Sequence, residues 1–175
     1  MTATPDPKIF DAEITSSALA QLDRLQAFFG RVEGKASFLL GINLALLGSV
    51  AVATPLATLW SPANICGLIA AALLGFSTVN LYAAFYPHLA NPQTSALYFA
   101  DIANLTADDY RARVKDASPE DRANDALCQV WRNAQILEKK FRRSRSAFLL
   151  TAAGVPFWLA LLALSVARSG ALPIA

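Results

Sequence analysis

The chain has 175 residues, of which 55% are hydrophobic and 16% charged, with a formal net charge of +2. A globular domain carries about 25% charged residues, so this composition excludes most soluble-enzyme classes, and no nucleic-acid partner is expected. The length allows one structural unit with its spans, without a separable catalytic domain.

Residues 1–13 read as a disordered N-terminus, because Pro5, Asp6 and Pro7 precede any apolar run. The basic-then-apolar order of a cleaved signal peptide is missing. From Ile14 the positions Ala18, Leu22, Leu25, Phe29, Val32 and Ala36 alternate spacings of four and three. That is a heptad seam, and it predicts a cytosolic amphipathic helix over 14–35 that enters the first span without a breaker. Gly30 and Gly34 lower helix propensity there, which suggests a close-packing role.

Between Lys35 and Asp101 lie 65 residues without an Asp, Glu, Lys or Arg. About 20 apolar residues cross the ~30 Å hydrocarbon layer. A span must satisfy its backbone polar groups internally, which makes each one a helix. The predicted spans are 36–58 and 63–86, joined by the tight loop Leu59-Trp60-Ser61-Pro62, with a third at 146–167. Gly34, Gly41 and Gly48, and then Gly67, Ala71 and Gly75, recur at spacings that let helices approach closely in lipid. They serve either hairpin packing within one subunit or a subunit interface. Asn43 and Asn80 fall at matching depth, roughly 9–12 Å inside the membrane. A mutual hydrogen bond is the simplest account, and a polar pore lining is the alternative. With no Asp, Glu, Lys or Arg inside a span, a proton relay or ion-coupled transporter is disfavoured.

Residues 87–145 form the predicted cytosolic helical region. Asn91-Pro92 punctuates its start, and Gln93–Asn104 presents Leu97, Tyr98 and Ile102 on a helical face. Thr106-Ala107-Asp108-Asp109 resembles a capping box opening a helix through about Lys115. Ser118 reads as an N-cap with Pro119 at the first helical position. From there Ala123, Leu127, Val130, Ala134, Leu137 and Phe141 form a second heptad seam. This helix continues into span 146–167, followed by a short outer tail, 168–175. The expected fold is therefore all-α: three transmembrane helices, the first and third extended as long helices into a helical cytosolic region.

Basic residues fix the expected orientation. Ten lie in 87–145, five of them at Lys139, Lys140, Arg142, Arg143 and Arg145, and none in the loop 59–62. Lysine and arginine accumulate in cytoplasmic loops. The N-terminus and 87–145 are thus expected on the cytoplasmic side of the membrane, with the C-terminus outside. The basic cluster also suits anionic lipid heads. Cys66 and Cys128 are expected unpaired. With one histidine, His88, and no metal-ligand spacing, no metal, cofactor or enzymatic activity is expected.

Arg31, Lys35, Arg132 and Asn133, with Gln129 and the aromatic Tyr98, Phe99 and Trp131, suit a small anion carrying a planar base. A solvated helix face is the alternative.

Three blocks, taken in order, resemble the membrane effector family of bacterial Pycsar antiphage systems. They are Arg31-Val-Glu-Gly-Lys-Ala-Ser-Phe-Leu-Leu-Gly-Ile-Asn43, Tyr98-Phe-Ala-Asp-Ile-Ala-Asn-Leu105 followed by Tyr110, and Gln129-Val-Trp-Arg-Asn-Ala-Gln-Ile-Leu-Glu-Lys-Lys-Phe-Arg142. The resemblance covers roughly residues 20–165. It departs at Val32-Glu33-Gly34, where alanine, aspartate and a small residue are more usual, although Glu33 keeps the charge. The resemblance implies an effector that senses a cyclic pyrimidine mononucleotide, cyclic UMP or cyclic CMP, made by a partner cyclase on infection. It would impair the membrane and stop the cell by abortive infection. On that reading the nucleotide-binding residues are expected to be Arg31, Lys35, Asp101, Arg132, Asn133 and Lys140, in a homo-oligomer embedded in the bilayer. The alternatives are a membrane scaffold whose heptad helices bind a protein partner, and a small channel gated by another signal.

Overall fold

The computed structural model describes residues 7–54, 60–86, 95–168 and 170. The regular elements among them are α-helices: α1 (Pro7–Ala53), α2 (Pro62–Phe85), α3 (Phe99–Ala103), α4 (Ala107–Asp116) and α5 (Pro119–Arg168). α1, α2 and α5 are long and apolar enough to cross a membrane, which bears out the all-α, three-span fold. α1 and α5 hold 47 and 50 residues. At 1.5 Å per residue each exceeds twice the ~30 Å hydrocarbon layer, so one continuous helix carries both a span and a polar extension.

α1 begins at Pro7, so residues 7–13 are helical rather than disordered. Proline suits a first helical turn, where its missing N–H has no partner in any case. Residues 1–6, 55–59, 87–94 (with His88 and Asn91-Pro92), 169 and 171–175 lie outside the described residues, and with them the end of span 36–58 and most of the tail 168–175. Of the helix expected over 93–104, the described residues form Phe99–Ala103. Immediately before it the Ser95 hydroxyl accepts from the N–H groups of Leu97 and Tyr98, at 3.0 and 3.1 Å, and turns the chain.

The chain divides into two compact units. The apolar unit, Arg31–Tyr86 with Lys139–Ala175, packs α1, α2 and α5 in three layers. Ala36, Leu81 and Ala147 form one end, and Val50, Ala63, Ala70 and Leu161 the other. Between them lies a polar layer. Asn43 Nδ2 donates to Ser77 Oγ at 2.7 Å, Ser77 Oγ donates to the Ala147 carbonyl at 2.8 Å, and Thr151 Oγ1 donates to Asn43 Oδ1 at 2.8 Å. Each layer takes residues from all three helices, so α1 and α5 run parallel and α2 runs against them. The expected Asn43–Asn80 bond is not formed. Asn80 Nδ2 donates instead to the Phe76 carbonyl of its own helix, because Ser77, three residues earlier, is the α2 position that faces α1 and α5.

The small residues also sort by face. A Cβ on Gly154 would meet Leu74 Cγ at 3.3 Å, and one on Gly67 would meet Thr54 Oγ1 at 2.6 Å. These two glycines permit the close approach. Gly34, Gly41, Gly48 and Gly75 have nothing within 4 Å of a built Cβ, so they do not serve packing inside the unit. At one end Trp158 Nε1 donates to Ser49 Oγ at 2.7 Å. At the other, Arg143 donates to the Ala83 carbonyl in the last turn of α2, where a cation offsets the negative helix end.

Candidate ligand cleft in the polar unit

The polar unit comprises Met1–Gly30 and Pro87–Glu138. Its local order comes from caps. The Thr106 hydroxyl accepts from the Asp109 N–H at 3.2 Å and donates to its carboxylate at 2.7 Å, starting α4. Ser118 does the same for α5: its hydroxyl donates to Asp121 Oδ2 at 2.6 Å and accepts from the Asp121 N–H at 3.1 Å. The Ser118 hydroxyl and backbone N–H hold the Asp121 carboxyl below its ordinary value of 3.8. Only Ala117 and Ser118 separate α4 from α5, so the last turn of α4 is tied to the first turn of α5. Arg122 seals this corner by donating to the Val114 carbonyl at 2.8 Å.

The floor of the resulting cleft is the Asp121–Arg132 stretch of α5, and its walls are the end of α4 and the turn at Ser95-Ala96. It is open to solvent and has a volume of about 680 Å³, within the ~300–1,000 Å³ of small-molecule sites. Two carboxylates fix its rim. Asp101 Oδ2 accepts from the Ser95 N–H at 2.8 Å, and Asp125 Oδ2 from the Ala96 N–H at 2.9 Å. The Arg132 guanidinium lies over the Tyr98 ring, 4.6 Å from its centroid. Arg113 lines the cleft half-buried, and its side chain makes no hydrogen bond or ion pair among the described residues. Trp131, which is exposed, also lines the cleft.

Of the six residues expected at the ligand site, Asp101, Arg132 and Asn133 belong to the polar unit, and Arg31, Lys35 and Lys140 to the apolar unit. Of the six, Arg132 lines the cleft and Asp101 holds its rim. Asn133 Nδ2 donates to the Gln129 carbonyl one turn earlier, at 2.9 Å. Lys140 is paired with Glu33 at 2.5 Å. Arg31 and Lys35 are exposed on α1. The sequence reading passed over Arg113 and Arg122. The signal for them was the capped Asp116-Ala117-Ser118-Pro119 turn, which is too short to separate the two helices.

Both cysteines are unpaired: Cys128 is exposed in the cleft and Cys66 half-buried in α2. Among the described residues no cluster of His, Cys, Asp and Glu could hold a metal.

Residues 17–167 match the Pycsar effector protein domain, a stretch that includes the cleft and all three apolar helices. The chain belongs to the Pycsar effector family. This Pycsar effector is thus an antiphage defence protein, and its three spanning helices make it a membrane protein. No curated protein and no solved structure matches the chain.

Proposed function

We propose that this Pycsar effector senses cyclic UMP or cyclic CMP in the α4–α5 cleft and responds by impairing the bacterial inner membrane. The polar unit then faces the cytoplasm, a side favoured by the basic residues that flank the spans there, and the C-terminus lies outside. The observation that carries this reading is the open cleft lined by both an uncommitted Arg113 and an exposed Trp131. A cyclic nucleotide offers one anionic phosphodiester for Arg113 and one planar base to stack on Trp131. Asn124 supplies an amide for the pyrimidine edge. Arg132, held on Tyr98, ends the cleft floor.

The same helix that floors the cleft is the third span, since α5 is continuous from Pro119 to Arg168. A ligand shifts a two-state equilibrium only by its differential affinity, and moving it from 1:99 to 99:1 takes about 5.5 kcal/mol. A micromolar ligand supplies about 8 kcal/mol in total, so several sites acting together in a homo-oligomer ease the switch.

The test is isothermal titration of the purified full chain with cyclic UMP, cyclic CMP and, as control, cyclic AMP. Micromolar or tighter binding of one pyrimidine is expected, weakened about 10- to 100-fold by Arg113→Ala, the loss of one charge-assisted contact. Absence of heat with all three nucleotides would overturn the sensor. It would favour a membrane scaffold instead, a reading supported by the outward Leu127 and Phe141 of the second seam, 47% and 62% exposed.

A further inference from the structure

The apolar unit is electrostatically one-sided. Arg31, Lys35, Lys139, Lys140, Arg142, Arg143 and Arg145 gather at the end where α1 and α5 enter their spans. The acidic residue of this unit is Glu33, and it is taken by Lys140 at 2.5 Å. Arg143 is turned inward to the Ala83 carbonyl at the end of α2. Lys140 and Arg143 thus hold the three helices to one another. Lys35, Lys139 and Arg145 are exposed and make no ion pair or side-chain hydrogen bond among the described residues.

The surroundings of these three cations are those of a membrane interface. Phe141, between Lys139 and Arg145, is 62% exposed, and Tyr82, in the last turn of α2, is 67% exposed. Aromatic rings of this kind sit at the headgroup level. From Lys139 to Arg145 the helix rises about 9 Å, comparable with the headgroup layer of roughly 5–8 Å on each side of the hydrocarbon. Basic residues kept only to bias insertion would need no arrangement beyond lying in the flank. Here two cations are used internally and three are turned outward among exposed aromatics.

We propose that Lys35, Lys139 and Arg145 form a docking belt for anionic phospholipid, binding the phosphodiester of a headgroup whose acyl chains lie along the spans. The belt selects phosphatidylglycerol-type lipids over zwitterionic ones, in which a choline or ethanolamine cation cancels the phosphate. It anchors the apolar unit at a fixed depth at this end of the spans. The proposal does not depend on nucleotide sensing.

The experiment is native mass spectrometry of the full chain released from nanodiscs of equal parts phosphatidylglycerol and phosphatidylcholine. The wild-type chain is expected to retain phosphatidylglycerol preferentially. Each Lys or Arg near an anionic surface accounts for a factor of about five. Lys35→Gln/Lys139→Gln/Arg145→Gln should therefore reduce the preference by roughly a hundredfold. Arg145→Lys keeps the charge and should keep the preference. Each single glutamine variant should lose part of it, which preserves the test if the triple variant does not fold. Equal retention of both lipids by the wild type would overturn the belt, and so would a preference that survives all three substitutions. Displacement of the lipid by free glycerol phosphate would also overturn it, by identifying a small-anion site in place of a lipid one.

Discussion

The two units spend similar polar side chains in opposite ways. In the apolar unit Asn43, Ser77 and Thr151 close a ring among three helices, and all three residues are buried. In the polar unit Asp101 and Asp125 bind loop N–H groups, yet Arg113 remains uncommitted at the cleft. The difference follows from the solvent. Hydrocarbon offers no substitute partner, so a polar atom there is either satisfied within the bundle or costs several kcal/mol. Water can satisfy a guanidinium until a ligand replaces it. The units therefore differ along α5: its apolar end closes its polar groups on one another, and its polar end lines a cleft open to solvent.

The strongest way to break this contrast is to disturb the close packing. Gly154→Leu drives a side chain against Leu73 and Leu74, which a Cβ alone would already meet at 3.3–3.4 Å. Overpacking of this kind costs about 1–3 kcal/mol, so the thermal midpoint in detergent should fall. Gly41→Leu is the control, because nothing lies within 4 Å of its Cβ. An unchanged midpoint is expected there. An equal fall at Gly41 would mean that the outward glycine stripe is packed against a second copy.

A smaller effect is expected from the polar layer. Asn43→Leu removes the bonds to Ser77 and Thr151. Both hydroxyls keep the Ala147 carbonyl, at 2.8 and 3.1 Å, which limits the loss. Interhelical bonds in membranes average about 0.6 kcal/mol, with a maximum near 1.7. The loss should lie in that range, measured by reversible unfolding in mixed micelles. Asn80→Leu should be close to neutral, since it gives up only a bond to its own helix. A double-mutant cycle between Asn43 and Thr151 should show coupling, and one between Asn43 and Asn80 should show none.

That pair of asparagines marks where the sequence stops being legible. Span positions, the seam from Ala18 to Ala36 and the caps at Thr106 and Ser118 are local signals of period and chemistry, and all can be read directly. Depth can be read too, so Asn43 and Asn80 looked matched. Rotation about the helix axis cannot: Ser77 and Asn80 are one turn apart, and which of them faces α1 depends on how three helices pack. The cleft was hidden for a related reason. Arg113 and Arg122 belong to different helices, and only the two-residue connection at Ala117-Ser118 brings them to one cleft. The second seam was legible only in part, since Ala123 is buried while Leu127 and Phe141 are exposed.

The smallest effect concerns the corner that shapes the cleft. Asp121 has its carboxyl pKa lowered by the Ser118 hydroxyl and N–H. A carboxyl depressed in the folded state contributes stability that is fully present above its unfolded value, near 3.8. That contribution fades as the pH falls through the folded value. At neutral pH the cap is intact, so the first turn of α5 should exchange its amide protons slowly. Acidification below about pH 3.8 should raise the exchange rate at Asp121 and Arg122, relative to that of an unprotected amide at the same pH, in the wild-type chain. In Asp121→Asn that acid-dependent increase should vanish, because no proton is taken up at this corner. Persistence of the increase in Asp121→Asn would assign it to another carboxylate, with Asp125 at the cleft rim the next to test. The cleft would then be shaped by its rim more than by its corner, which sharpens where the polar unit invests its order.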